Sequence, residues 1–372
     1  MVCDAEAALL SRHGVEVVRY DRTNDDIGNP LAAAFETVWS RRARLDIEAL
    51  LRRERPDLAH VHNIWYRISP SAYAACHDAG VPVVQTLHNF RMFCANALLL
   101  RNGHPCEECV GKTPWRSVRC GCFRGSRLAT APVAFSEWLH ATRGTWLSGV
   151  DNYIALTRFA LERFVAAGVP RERISVKPNF LADPPSPAGG AGTGALFVGR
   201  LTPEKGIPVL LDAAARVNHR DFGLEIIGDG SLRDTVDLAA QRSGGRIRIA
   251  GPKCRNSCLE AMRRALFVVV PSICYENFPL AIVEAFACGI PVLASRLGAM
   301  AEIVEDGRTG RLFAAGDAAD LASAMAWLTD HPAKCTEMGR AARAVFEARY
   351  TADTNFNMLM STYRQVSPGA SP

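Results

Sequence analysis

No stretch of this 372-residue chain approaches the ~18 apolar residues that would carry a helix across a bilayer. The amino terminus also lacks a charged segment followed by an apolar one, the mark of a secretory leader. The expectation is therefore a cytoplasmic chain. No Asp-x-Asp occurs anywhere, which leaves no acidic motif to bridge a divalent ion to a diphosphate. There is no internal sequence repeat and no recognised nucleic-acid-binding module. The formal net charge of +5 is too small an excess to argue for a nucleic-acid partner. What is present is ordinary for a globular protein, with 48% hydrophobic and 22% charged residues. The length suffices for two domains, each with its own core.

The charge is unevenly placed. Residues 1–182 hold 23 Lys/Arg against 18 Asp/Glu, and residues 183–372 hold 20 of each, so the whole excess lies in the first half. Its densest part is the helix-like stretch Leu31 to Arg55, where Phe35, Val38, Trp39, Leu45 and Leu50 stand among arginines. Two readings stay open. The helix packs on a sheet with a solvated basic face, or it meets anionic lipid at the inner face of the plasma membrane, where a lipid-linked acceptor would be found.

Apolar strands alternate with amphipathic helices throughout, which predicts an α/β protein with parallel sheets covered on both faces. The first-half strands are expected at Val15–Tyr20, Leu58–Val61, Val81–Leu87, Asp151–Ala155 and Ile174–Lys177. Those of the second half are expected at Ala195–Val198, Leu224–Ile227, Ile247–Ile249, Phe267–Val270 and Pro291–Leu293. The Pro/Gly/Ser-rich residues 183–194 carry no apolar period and read as a linker between a first domain, 1–182, and a second, 195–345. Asn179 belongs to the hinge. A helix interrupted near Tyr350 runs to Val366, and 367–372 should be a disordered tail. The beginning is irregular. A Rossmann-type domain opens with a strand and a glycine-rich loop, yet the chain starts in the helix that should follow them. The expectation is a start about 20 residues further upstream, the length of one strand and its loop.

Two loops carry the chemistry. The apolar run Phe267–Val270 reads as a buried strand ended by Pro271, and Glu276 lies in the loop beyond it, where open α/β sheets bind ligands. A helix then starts near Pro279, runs over Leu280–Cys288 and stops at Gly289. The free N–H groups around Phe278 to Leu280 would face an anion, with Asn277 and Pro279 in the same donor-binding turn, and Glu284 lies about 7 Å further along the helix. One carboxylate stands before the anion site and one behind it, which suits a sugar and a ribose on either side of a diphosphate. The second loop, after Ala195–Val198, holds Arg200 and Lys205, cations able to stabilise a departing diphosphate. Gly228, in Gly-Asp-Gly after the strand at 224–227, needs only the positive φ of a tight turn.

Together and in this order, these loops resemble the donor domain of glycosyltransferase family 4 (group 1 glycosyltransferases). The resemblance covers nearly the whole chain and is strongest over 195–304. It implies the GT-B fold, two Rossmann-like domains facing across a cleft, with residues 346–366 forming a helix that returns to the first domain. It implies that Glu276 binds sugar hydroxyls, Glu284 the ribose, and Arg200 and Lys205 the diphosphate, with Gly228 near the nucleotide. It further implies a retaining transfer from a nucleoside-diphosphate sugar to a hydroxyl acceptor, by front-face attack and without a catalytic metal. The product expected is a surface polysaccharide or glycolipid. One departure is Gly298-Ala299, where the family more often has a second glycine. A nucleotide-sugar 2-epimerase on the same fold and an inactive scaffold are the alternatives.

Histidines and cysteines complete the set. His88 ends the strand at 81–87, at a place where family members carry a histidine, and is the expected catalytic residue of the first domain. His62 ends the preceding strand and is either structural or acceptor-side. His60 reads as an ordinary strand residue. Five cysteines crowd the segment 94–122. Cys106 and Cys109 have metal-knuckle spacing, with buried free thiols as the competing account. Relatives with a cysteine-bearing insertion look similar at Cys122-Phe-Arg-Gly-Ser. That likeness implies a structural zinc on Cys94, Cys106, Cys109 and Cys122, with Cys120 spare.

Overall fold

The computed structural model describes residues 2–23, 36–65 and 67–367. Residues 31–35 of the basic stretch and 368–372 of the tail lie outside the described residues. The chain divides into two compact units, one made of 1–99, 106–178 and 355–372, the other of 100–105 and 179–354.

The strands are β1 (Ala59–Val61), β2 (Val83–Leu87), a two-residue antiparallel hairpin β3 (Leu100–Arg101) and β4 (His104–Pro105), β5 (Asn152–Ala155) and β6 (Ile174–Val176). In the first unit β1, β2, β5 and β6 form a parallel sheet in that order. Every residue of β2 and β5 is buried, as expected of strands covered on both faces. The segment Val15–Tyr20, expected as a strand, joins no ladder among the described residues. Its alternation is real, because Val15 and Val17 pack against Leu10, Val84, Ile154, Leu359, Met360 and Tyr363. The hydrogen-bonding neighbour is what it lacks, and a strand exists only beside one. The helix Ala352–Val366 buries Asn355, Leu359, Thr362 and Tyr363, an i, i+4, i+7, i+8 stripe. From Asn355 onward it belongs to the first unit.

Beneath this sheet lies a buried ion pair. Glu6, on the helix Val2–Arg12, and Lys177, just past β6, are each 1% exposed and meet at 2.5 Å. Asn355 Oδ1 accepts a second bond from Lys177 at 3.1 Å. The three partners come from the first helix, the end of β6 and the last helix, so the pair ties the ends of the unit together.

The second unit holds β7 (Ala195–Val198), β8 (Leu224–Ile227), β9 (Ile247–Gly251), β10 (Phe267–Val270), β11 (Val292–Ser295) and β12 (Gly310–Phe313). They form a parallel sheet in the order β12-β11-β10-β7-β8-β9. The strand β12 has no sequence signature, since Gly-Arg-Leu-Phe offers neither alternation nor an apolar run. Residues 183–194 are not a free tether. Ala188 N–H donates to Cys288 O at 2.8 Å and Thr193 N–H to Arg264 O at 2.9 Å, so their backbone groups are satisfied on the second unit. The passage between units falls at Pro178–Asn179.

Replacing Lys177 with alanine leaves the Glu6 carboxylate buried without its cation. The expected loss is about 3–5 kcal/mol of folding free energy, much more than a surface pair costs. Urea denaturation checks it, and a loss below about 1 kcal/mol would mean that Glu6 reaches water when unpaired.

Candidate functional site

In the second unit the strand order reverses between β7 and β10, which are neighbours in the sheet though β8 and β9 lie between them in sequence. The loops leaving their carboxyl ends therefore diverge side by side and open a crevice. Gly206 closes the β7 loop at φ 73°, and a Cβ there would lie 1.9 Å from Pro271 O. Only glycine lets the two loops approach so closely. That approach brings Lys205 Nζ to 2.6 Å from Glu276 Oε1, while Ser272 Oγ donates to the same oxygen at 2.6 Å. Gly228 is constrained likewise, for a Cβ would meet Gly199 O at 1.8 Å. Close backbone approach explains it without a ligand.

The helix after Glu276 spans Leu280–Ala287, with Pro279 as its N-cap rather than its first residue. Asn277 is buried and Phe278 packs edge-on against Tyr350 with centroids 6.0 Å apart. Glu284 is largely buried, which raises its carboxyl pKa, and Arg255 opposes that shift from 3.2 Å. Arg200 stands apart. Its side chain is 66% exposed and, among the described residues, pairs with Glu204 alone, at 3.3 Å. Ser272 and Arg255 were not anticipated. Ser272 has no signal beyond directly following the strand-ending Pro271. Arg255 had one, lying just past a strand's carboxyl end in Gly-Pro-Lys-Cys-Arg.

In the first unit His62, His88, Asn63, Trp65, Asn89 and Arg91 line one small cleft at the carboxyl ends of β1 and β2. His62 Nδ1 lies 2.8 Å from His88 Nε2. His60 is more than a strand residue, with Nδ1 2.8 Å from the Tyr363 hydroxyl and Nε2 2.8 Å from Thr86 Oγ1. Burial, reinforced by the His62 ring, lowers His60 to about 3 and His88 to about 4. Glu6 also joins this cluster, with Oε2 3.3 Å from His62 Nε2. Its signal was a carboxylate on the apolar stripe of the first helix, in line with Leu9 and Leu10.

The cysteine segment shows convergence without closure. Burial pushes the Cys109 thiol up to about 12, with further upward contributions from Cys94, Glu137, Cys122 and Cys106 nearby. Cys94 Sγ donates to Asn96 Oδ1 at 3.0 Å. Glu137 was unforeseen. It is 2% exposed, neither carboxylate oxygen has a hydrogen-bond partner among the described residues, and burial raises it to about 8 against the pull of Arg91. Among the described residues, the ligand-type atoms within 4.8 Å of one another belong to Glu6, His60 and His62, not to the cysteines.

Comparison with known proteins assigns both units. Residues 2–179 match the family model described as "Glycosyl transferase 4-like domain", and 192–331 match "Glycosyl transferases group 1". The chain belongs to the group 1 glycosyltransferases of family 4. A D-inositol 3-phosphate glycosyltransferase of Pseudarthrobacter chlorophenolicus is 32% identical over 309 residues, 80% of this chain and 69% of that protein. An uncharacterized glycosyltransferase of Methanocaldococcus jannaschii is 38% identical over 118 residues, so the match spans about a third of that relative (32% of each chain). Among solved structures, Anabaena HepE in complex with UDP has a TM-score of 0.65 at 20% identity, covering 97% of this chain and 89% of that one. A glycosyltransferase of Rickettsia africae reaches 0.67 at 14% identity, covering 98% and 88%. The glycosyltransferase fold is thus GT-B, with two Rossmann-like domains.

The buried histidines set an acid limit. An exposed histidine protonates near 6.5, whereas folded His88 and His60 resist protonation until about 4 and about 3. The unfolded chain therefore binds more protons below 6.5, and stability falls as pH drops from there toward 4. Melting temperature should be level above pH 7 and decline through that window, with a shallower decline in His88→Gln. An equal decline in that variant would show that His88 protonates freely in the folded protein.

Proposed function

We propose that this chain is a retaining glycosyltransferase that moves a sugar from a nucleoside-diphosphate sugar to a hydroxyl acceptor in surface polysaccharide or glycolipid synthesis. The observation that carries the proposal is the Lys205–Glu276 pair at the reversal of strand order, with Glu284 on the helix that follows. HepE, solved with UDP and with UDP-glucose, supports a donor of that class. Lys205 has three N–H donors and can hold Glu276 while bonding a phosphate oxygen. Arg200, itself largely exposed, gives up little in leaving Glu204. These two cations, with the N–H groups at Phe278 and Leu280, would hold the diphosphate without a catalytic metal and stabilise it as charge develops. Glu276, aligned by Ser272 and Lys205, would accept from the sugar hydroxyls. Glu284, paired with Arg255, would accept from the ribose. His88 is the first unit's contribution to the transfer, with His62 beside it on the acceptor side. The acceptor attacks from the face the diphosphate leaves, and the departing phosphate takes its proton.

A lipid-linked acceptor fits the helix Arg41–Glu54, where Leu45 is 63% exposed beside exposed Arg41 and Arg42. Such a face suits an anionic bilayer. No helix among the described residues is long and apolar enough to cross one. A structural zinc on Cys94, Cys106, Cys109 and Cys122 would order the segment 93–125, and the approach of Cys94, Cys106 and Cys122 to Cys109 supports that reading. The ion would bind closed and four-coordinate, with no reaction step assigned to it.

Glu284→Ala should weaken donor binding by about 1.5–3 kcal/mol, the worth of a hydrogen bond to a charged group. Arg200→Ala and Lys205→Ala should lower turnover more than affinity, because their partner charge grows in the transition state. Calorimetry and donor kinetics check this, and wild-type values in all three variants would end the donor assignment.

The metals give a separate test. Transfer should survive removal of Mg²⁺ and Mn²⁺ by mild chelation, while elemental analysis of anaerobically purified protein finds about one zinc per chain. Activity lost to chelation and restored by Mn²⁺ would overturn the metal-free diphosphate site. Zinc below about a tenth of an equivalent would overturn the cysteine site.

A further inference from the structure

His88 is the last member of a buried chain of contacts that begins at Glu6. The His88 and His62 rings stack with centroids 5.1 Å apart, joined through His88 Nε2 and His62 Nδ1 at 2.8 Å. His62 Nε2 then faces Glu6 Oε2 at 3.3 Å. Lys177 occupies the other Glu6 oxygen, so among the described residues the His62 ring nitrogen is the polar contact of the buried Oε2. His88 Nδ1 has no partner among the described residues, and the residue lines the cleft with Asn89 and Arg91.

Proton counting along this chain gives one arrangement. A carboxylate has no hydrogen to give, so the imidazole nitrogen facing it carries the N–H. A neutral imidazole carries a single hydrogen, which leaves His62 Nδ1 bare and able only to accept. The partner nitrogen, His88 Nε2, must then be the donor, and His88 Nδ1 is bare in turn. Lys177 keeps Glu6 ionised, opposing the effect of burial, and burial keeps both rings neutral.

We propose that Glu6 and His62 are positioning residues that lock His88 in its Nε2–H tautomer, so that its free Nδ1 accepts a hydrogen bond from a hydroxyl of the sugar substrate. This rests on the acceptor-side place of His88 given above. It makes His88 a neutral hydrogen-bond acceptor for a hydroxyl-bearing substrate, and not a cation that binds phosphate.

A metal ion is the competing occupant, since Glu6, His60 and His62 offer ligand atoms within 4.8 Å of one another. Both nitrogens of His60 are already engaged, by Tyr363 and Thr86, and the Lys177 ammonium sits against the Glu6 carboxylate. A divalent ion would displace one of the two His60 hydrogen bonds and approach a fixed positive charge, so the proton chain fits the geometry better.

The test is the histidine tautomer, read by two-bond ¹H–¹⁵N correlation on the full chain at pH 7.5 without sugar, with His88→Gln to assign the signals. Wild-type protein should show protonated Nε2 and bare Nδ1 at both His62 and His88. The double variant Glu6→Met with Lys177→Met removes the carboxylate without stranding its cation. It should show mixed tautomers at His88 and transfer reduced about tenfold or more, with donor affinity unchanged. A protonated Nδ1 at His88 in the wild type, or a pure Nε2–H form in the double variant, overturns the proposal. The wild-type spectrum decides even if the double variant does not fold. Mixed tautomers with undiminished transfer would overturn the hydroxyl contact, and with it the acceptor-side role of His88, while leaving the donor assignment standing.

Discussion

The reversal of strand order between β7 and β10 is the constraint on which the donor half depends. Because these strands are neighbours, the loops after them start side by side, although some 75 residues of chain separate Arg200 from Glu276. The Gly206–Pro271 contact sets their spacing, so that Lys205 reaches Glu276 before any ligand arrives. A site whose charges are already paired loses little side-chain freedom on binding, and fixed dipoles need no reorganisation as charge develops.

The first unit handles charge differently. Its cleft is backed by Glu6, Lys177, three histidines and Tyr363, buried or partly buried and bonded to one another. Such a network is costly unless satisfied, and satisfied it holds each side chain in one geometry. Helix, sheet and carboxyl-terminal helix each supply a member, so the last helix helps fix a histidine on β1. That gives the return of the chain to this unit a role beyond covering the sheet.

Residues 183–194 show how composition misleads. A run of Pro, Gly and Ser has no apolar period and reads as a tether, yet its backbone groups bond to Cys288 and Arg264. Gly192 is small because the carbonyls of Arg264 and Ala265 crowd it. The same letters serve flexibility and close packing, and only the neighbours decide between them.

What the sequence determined alone was whatever local pattern encodes. The buried parallel strands, the helix beginning near Pro279, the loops holding Arg200, Lys205 and Glu276, and the two-unit α/β class were all legible from periodicity and punctuation, or from likeness to a family. Tertiary structure decided what depends on neighbours distant in the chain. Val15–Tyr20 alternates like a strand but joins no ladder among the described residues, and β12 pairs without alternating. Glu6 joins a histidine more than 50 residues away, and Arg255 joins Glu284. Pairing between distant residues leaves no period in a sequence, because it depends on which elements the fold brings together.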